Sequence, residues 1–270
     1  MSTDTFRIID KAPYGAGGFY FGDSVYIGSL SPGAGVIAIK PTDLSATTIF
    51  NSYFGLPISL ADDLVWVTLP SGKRYLYFTS FFTALEPGHV VPTLDRPVTV
   101  PNCVWRWDPQ EEVLLPVISR LDVPIPNGIR VSPDQKTLYV TDSLSTGAGG
   151  AAEGNQGYAP TAGPNIYAFE LNNDGFPINK RLFGLARSGY PDGIHVDDAG
   201  RVWTAEGEGI VVRSPAGKIL GVFNAAAFGV EASDGMQIAN FALAGDTLFV
   251  AAFDSLYAVK LAEVVAVGQC

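Results

Sequence analysis

Pro126-Asn127-Gly128-Ile129-Arg130-Val131, followed by Thr137-Leu138-Tyr139-Val140-Thr141-Asp142, reads as a turn dipeptide, a short apolar strand, a second turn at Pro133-Asp134 and another strand. The same grammar returns as Pro191-Asp192-Gly193-Ile194-His195-Val196 before Arg201-Val202-Trp203-Thr204-Ala205. Further copies stand at Ala61-Asp62-Asp63-Leu64-Val65-Trp66 before Tyr75 to Thr79, and at Ala239-Asn240-Phe241-Ala242-Leu243 before Thr247 to Val250. A weaker fifth runs from Gly17 through Phe21 into Ser24 to Gly28. Repeats of about 40 to 50 residues, each holding several short strands, are the mark of a β-propeller built blade by blade. The expected fold is therefore all-β, one β-propeller domain over residues 1–270, with four-stranded blades of which five can be read.

Composition supports this. Hydrophobic residues make up 47% and charged residues 16%, with 30 Gly and 19 Pro, which suits short buried strands joined by tight turns. The formal net charge is −10 and no block of Lys or Arg occurs, so nucleic acid is not expected as a partner. No basic-then-apolar leader and no 18-residue apolar run is present, and no membrane partner is expected. With only Cys103 and Cys270 the sequence gives no disulfide framework, and the expected location is cytoplasmic. The sequence fixes no oligomeric state. Two histidines, His89 and His195, exclude a three-His metal site.

Two blades carry long insertions between their second and third strands, Phe81 to Cys103 and Ser143 to Pro164. Antiparallel neighbours alternate in direction, so these insertions overhang the face on which the first strands begin. Those beginnings, taken in register, are Gly17, Asp62, Asn127, Asp192 and Asn240. If the first strands line the axis, four oxygen-bearing side chains converge at the mouth of a central channel, the default place for a small molecule. Asp142, ending the second strand of its blade, can serve as a general base beside this ring or cap the turn before the insertion; both readings stay open. His195 is placed with Asn127 and Asn240 among the substrate-binding candidates, and Phe81 and Phe82 as an apolar cover. Hard oxygen donors of this kind suit Ca²⁺ or Mg²⁺, and Zn²⁺ less well. Trp66, Trp105, Trp107 and Trp203 fall at strand positions and read as blade packing, and Asn172-Asn173-Asp174-Gly175 as a turn.

The motifs resemble the regucalcin/gluconolactonase family of six-bladed propellers, in its fungal-type lactonase-like branch. The resemblance is carried by Pro126-Asn127-Gly128-Ile129 with Leu138 to Asp142, by Pro191-Asp192-Gly193-Ile194 with Gly200-Arg201-Val202-Trp203, by Val104 to Pro109, and by Ile238-Ala239-Asn240-Phe241. It implies a divalent metal on the axis, with Asn127 and Asp192 as ligands, Asp62 at a further polar position changed from the family's usual Asn, and Asp142 as the base. The family's first blade and its Glu ligand have no counterpart, so either five blades close a ring or the ring closes around a gap. On that ground the first expectation is a natural-product tailoring enzyme needing no cofactor, catalysing a cyclisation or isomerisation such as a hetero-Diels–Alder closure, with Asp142, Asp62 and Asp192 as catalytic residues. The alternative is a lactone hydrolase using a divalent metal (Ca, Mg or Zn) held by Asn127, Asp192 and Asp62. A binding propeller without chemistry is the third.

Overall fold

The computed structural model describes residues 11–31, 33–58, 60–81, 100–143, 164–230, 238–252 and 255–266. The first blade is β1 (Gly15–Phe21), β2 (Ser24–Ser29), β3 (Val36–Ile39) and β4 (Ala46–Phe50), followed by a small hairpin of β5 (Ser52–Tyr53) and β6 (Leu56–Pro57). The second is β7 (Ala61–Thr68), β8 (Arg74–Ser80), β9 (Cys103–Asp108) and β10 (Val113–Ser119). The third is β11 (Pro126–Val131), β12 (Thr137–Asp142), β13 (Asn165–Leu171) and β14 (Pro177–Leu185), and the fourth is β15 (Ile194–Val196), β16 (Val202–Glu206), β17 (Gly209–Arg213) and β18 (Ile219–Asn224). The fifth has three strands among the described residues, β19 (Asn240–Ala244), β20 (Thr247–Ala252) and β21 (Ser255–Lys260). Each blade is an antiparallel meander, and the first strands pack in sequence, β1 on β7, β7 on β11, β11 on β15 and β15 on β19. This is the β-propeller expected from the repeats.

The inner strands of the second and third blades are buried on both faces because each is wedged between two neighbours. Along β7, Leu64 and Trp66 enter the core shared with the first blade, while Val65 and Val67 enter the core shared with the third. In β8 the same division separates Leu76 and Phe78 from Tyr75 and Tyr77. A strand of period two thus feeds two cores, which is why these segments are apolar throughout rather than alternating. Similar cores lie between the third and fourth blades and between the fourth and fifth. The four tryptophans behave as packing residues: Trp66 stacks on Phe21 at 4.8 Å, and the Trp105 indole donates to Ser80 Oγ at 2.9 Å.

Blades are also locked by polar contacts. The Asn172–Phe176 turn is organised by Asn172 Oδ1, which accepts the Asp174 and Phe176 N–H groups, and it docks on the second blade. There Arg106 lies 4.4 Å above the Tyr75 ring and 4.0 Å from the Phe176 ring and donates to the Asp174 carbonyl, while the Tyr77 hydroxyl donates to the Gly175 carbonyl. Removing this lock separates its parts. Arg106→Ala is expected to cost about 2 to 3 kcal/mol, from a charge-assisted hydrogen bond and cation–π contact, and Tyr77→Phe about 1 kcal/mol, read from urea unfolding midpoints.

Candidate functional site at the channel mouth

The dipeptides Asn127-Gly128 and Asp192-Gly193, read above as turns, are not turns. Asn127 and Gly128 lie inside β11, and neither they nor Asp192 and Gly193 take a positive φ. Gly is required by blade packing: a Cβ on Gly128 would come within 2.4 Å of the Asp192 carbonyl oxygen, and one on Gly193 within 2.7 Å of Asn240 Oδ1. What the motif encodes is a β-bulge. Pairing steps from Pro126↔Asp142 to Ile129↔Val140, from Ala61↔Ser80 to Leu64↔Phe78, and from Gly15↔Ser29 to Gly18↔Ile27, with one more residue on the first strand each time. The extra residue re-aims the chain where it meets the axis.

Hydrogen-bond register corrects two members of the expected ring. Phe241 pairs with Val250 as Ile129 pairs with Val140, so Asn240 corresponds to Gly128 and Asp63, and Ala239 to Asn127. By the same reasoning Ala16, not Gly17, holds the ring position in the first blade. Asn240 and Asp63 act alike: each side-chain Oδ1 accepts the N–H of its next residue, at 2.9 Å. Sequence alignment on the shared Asn misplaced it because β19 pairs without the bulge. The ring position therefore reads Ala16, Asp62, Asn127, Asp192, Ala239.

These positions nevertheless share one cavity of about 370 Å³, into which Asp62, Asn127, Asp192 and Asn240 all face, with Asp63 as well. Leu30 and Phe81 supply apolar wall. Phe82 and His89 lie outside the described residues. Asp142 and His195 do not line the cavity. Asp142 is fully buried, with Oδ1 accepting the Ile125 N–H at 3.0 Å, and the half-buried His195 packs on Phe241 at 5.0 Å between ring centres.

Hydroxyls hold the carbonyls behind the ring. Thr79 Oγ1 donates to the Asn127 carbonyl at 2.6 Å, and Thr141 Oγ1 to the Asp192 carbonyl at 2.8 Å, each bond crossing to the next blade. The ring residues are thus fixed by backbone as well as by bulge.

Sequence reasoning missed Arg130. It follows the Asn127 motif by three residues, and its guanidinium donates to both Asp63 oxygens at 2.9 and 3.0 Å, to the Leu64 carbonyl at 2.9 Å and toward the Gly18 carbonyl at 3.4 Å. It also stands 3.5 Å from His195 Nε2. Arg130 and Asp63 are each 2% exposed, so the pair is a buried charge hub under the cavity. Lone Arg residues in strands give no local signal; the cross-blade register alone reveals this one.

Electrostatics at the mouth are set by crowding of carboxylates. Burial, and then the Asp63 charge, push the Asp192 carboxyl up to about 7, against lowering by the Asn127 side chain and the Gly193 N–H. Burial, then Asp192 and Asp63, hold Asp62 well above the usual carboxylate range. Burial and the Arg130 charge hold His195 well below its ordinary value, so it is neutral near pH 7. Two carboxyls that repel each other, joined by an amide, are a donor set that fits a hard divalent ion. Among the described residues no three His, Cys, Asp or Glu gather closely enough to hold an ion, so an ion here would need the Asn127 amide oxygen as well.

Relatives agree with this architecture. Residues 70–231 match the SMP-30/Gluconolactonase/LRE-like region. A gluconolactonase of Zymomonas mobilis is 24% identical over 240 residues, covering 83% of this chain and 57% of the relative. The lactonohydrolase oryH of Aspergillus oryzae is 33% identical over 124 residues, 43% of this chain and 26% of the relative. This chain thus spans little more than half the length of the first of these curated relatives and about a quarter of the second. The solved structure of a Xanthomonas campestris gluconolactonase superposes with a TM-score of 0.63 at 23% identity, over 88% of this chain and 68% of that one. A match covering more than half of the residues, on a propeller of the same kind, identifies the lineage: this chain belongs to the SMP-30/Gluconolactonase/LRE-like family.

Proposed function

We propose that the protein opens lactone rings by hydrolysis at the channel mouth. The observation that carries this reading is the cluster of Asp62, Asn127 and Asp192 around one cavity, in a chain whose relatives include lactonases. Asn127, Asp192 and Asp62 would hold a divalent ion. When bound, such an ion supplies Lewis acidity toward a carbonyl and a water of lowered pKa. The remaining work falls to this chain's own groups. The bulged strands and the Thr79 and Thr141 hydroxyls hold the ring residues in place before substrate arrives, and Leu30 and Phe81 keep solvent from one side of the bound lactone.

The expected result with purified protein is turnover of a lactone panel that is lost on chelation and restored by Ca²⁺, Mg²⁺ or Zn²⁺. A second reading, non-hydrolytic cyclisation of a natural-product intermediate, is favoured by Ala16 at the first blade's ring position, which brings no carboxylate, and by acids available at the mouth near pH 7. Turnover of such an intermediate, indifferent to chelator and blocked in Asp62→Asn, would select it over hydrolysis.

A further inference from the structure

A second cavity, of about 590 Å³, lies against the first blade, with Gly15, Gly18, Val25, Ile27, Ile39 and Leu44 in its wall. It is apolar, and it meets the channel mouth at Ala16 and Gly17, which line both cavities. Its origin is visible in β1, where Gly15-Ala16-Gly17-Gly18 brings almost no side chain to a position that other blades fill. Gly17 must stay small, since a Cβ there would come within 2.4 Å of Asp63 Oδ1. Among the described residues every other neighbouring pair of blades shares a hydrophobic core, whereas no core joins the fifth blade to the first. The groove lies on the first blade, beside that seam, and the backbone at Ala16 and Gly17 is all that separates its wall from the polar site's.

We propose that the two cavities form one bipartite site, whose ligand is a lactone bearing an unbranched apolar chain. The ring sits among Asp62, Asn127 and Asp192, and the chain passes Ala16 and Gly17 into the groove. This rests on the lactone reading above and adds a substrate class to it. The adjacency of polar mouth and apolar groove across Ala16 and Gly17 argues for an occupant that is itself polar at one end only. Each methylene moved from water into the groove is worth about 0.8 kcal/mol, roughly a fourfold gain in kcat/KM.

The test uses the full chain with γ-butyrolactone, γ-octalactone and γ-dodecalactone, alongside binding of the neutral fluorophore N-phenyl-1-naphthylamine. Expected are a kcat/KM that climbs with chain length and a fluorophore displaced by γ-dodecalactone but not by γ-butyrolactone. Two variants should flatten both responses: Val25→Thr, which keeps the branched shape and puts a hydroxyl in the groove, and Leu44→Asn, at a φ of 60° where Asn is well tolerated. Turnover independent of chain length would overturn the groove and leave hydrolysis standing. Chain-length-dependent displacement without turnover of any lactone would sustain the groove and sink hydrolysis. Fluorophore binding seen only after deletion of residues 2–10, or dimerisation with no binding, would assign the groove to the chain itself and overturn the proposal.

Discussion

Asp192→Asn is expected to abolish lactone turnover and, in the same protein, to raise thermal stability at pH 8. The sign follows from proton counting. The Asp192 carboxyl is pushed up to about 7 in the folded chain from an ordinary value of 3.8, so between these values the folded state holds a proton that the unfolded state has released. Stability therefore falls as pH rises through this window, and above about pH 7 the full cost is present. At 1.36 kcal/mol per unit, a shift of about three units corresponds to an upper bound on the order of 4 kcal/mol. Asn cannot ionise, so the variant should lack this slope. Melting curves at pH 4, 6 and 8 should show the wild type losing more with rising pH than Asp192→Asn, which keeps the Asp62 contribution, the two converging near pH 4. A wild type flat across this range would mean that Asp192 is not held protonated. A divalent ion that binds the carboxylate should recover stability of the wild type at pH 8 and leave the variant unmoved, since a ligand stabilises only the state it binds. Loss of turnover should be about 100-fold or more, because the same carboxylate that strains the fold would hold the ion.

Arg130→Met is the second large effect, in the opposite direction. The substitution keeps length and much of the volume but strands the buried Asp63 carboxylate, which then retains only the Leu64 and Ile129 N–H donors. Breaking a buried pair from one side costs about 3 to 5 kcal/mol, far more than the pair is worth against an apolar replacement. The double variant Asp63→Asn/Arg130→Met should regain most of that loss, since the amide oxygen can still accept a backbone N–H and no charge is left unpaired. Urea unfolding of the two singles and the double closes the cycle, and a double variant as unstable as the sum of the singles would remove the hub from the account. Because Arg130 touches β1, β7 and β15 from β11, its loss should also loosen the floor of the cavity, seen as a higher KM in whatever soluble fraction survives.

Much of the fold was legible because strand repetition is a local property. Leu-Tyr-Val-Thr at Leu138 to Thr141 and Leu-Phe-Val-Ala at Leu248 to Ala251 announce their strands wherever they lie, and each strand predicted from them is present. Convergence of Asp62, Asn127 and Asp192 was legible too, because repeats in register about an axis place equivalent positions together. Asn240 reaches the same cavity by a different register, which a sequence cannot show: Asn before a strand looks the same with a bulge or without one.

By itself, then, the sequence determined the all-β class, five readable blades and three polar ring residues, since these depend on period and repetition. Only tertiary structure decided why Gly128 and Gly193 are glycine, that Asp142 is buried against Ile125 N–H away from the cavity, and that Arg130 binds Asp63 across a blade boundary. Each of those depends on the separation between chains distant in sequence. So does the apolar groove beside β1, which exists because three glycines on one strand leave unfilled a space whose other walls come from β2 and the loop after β3.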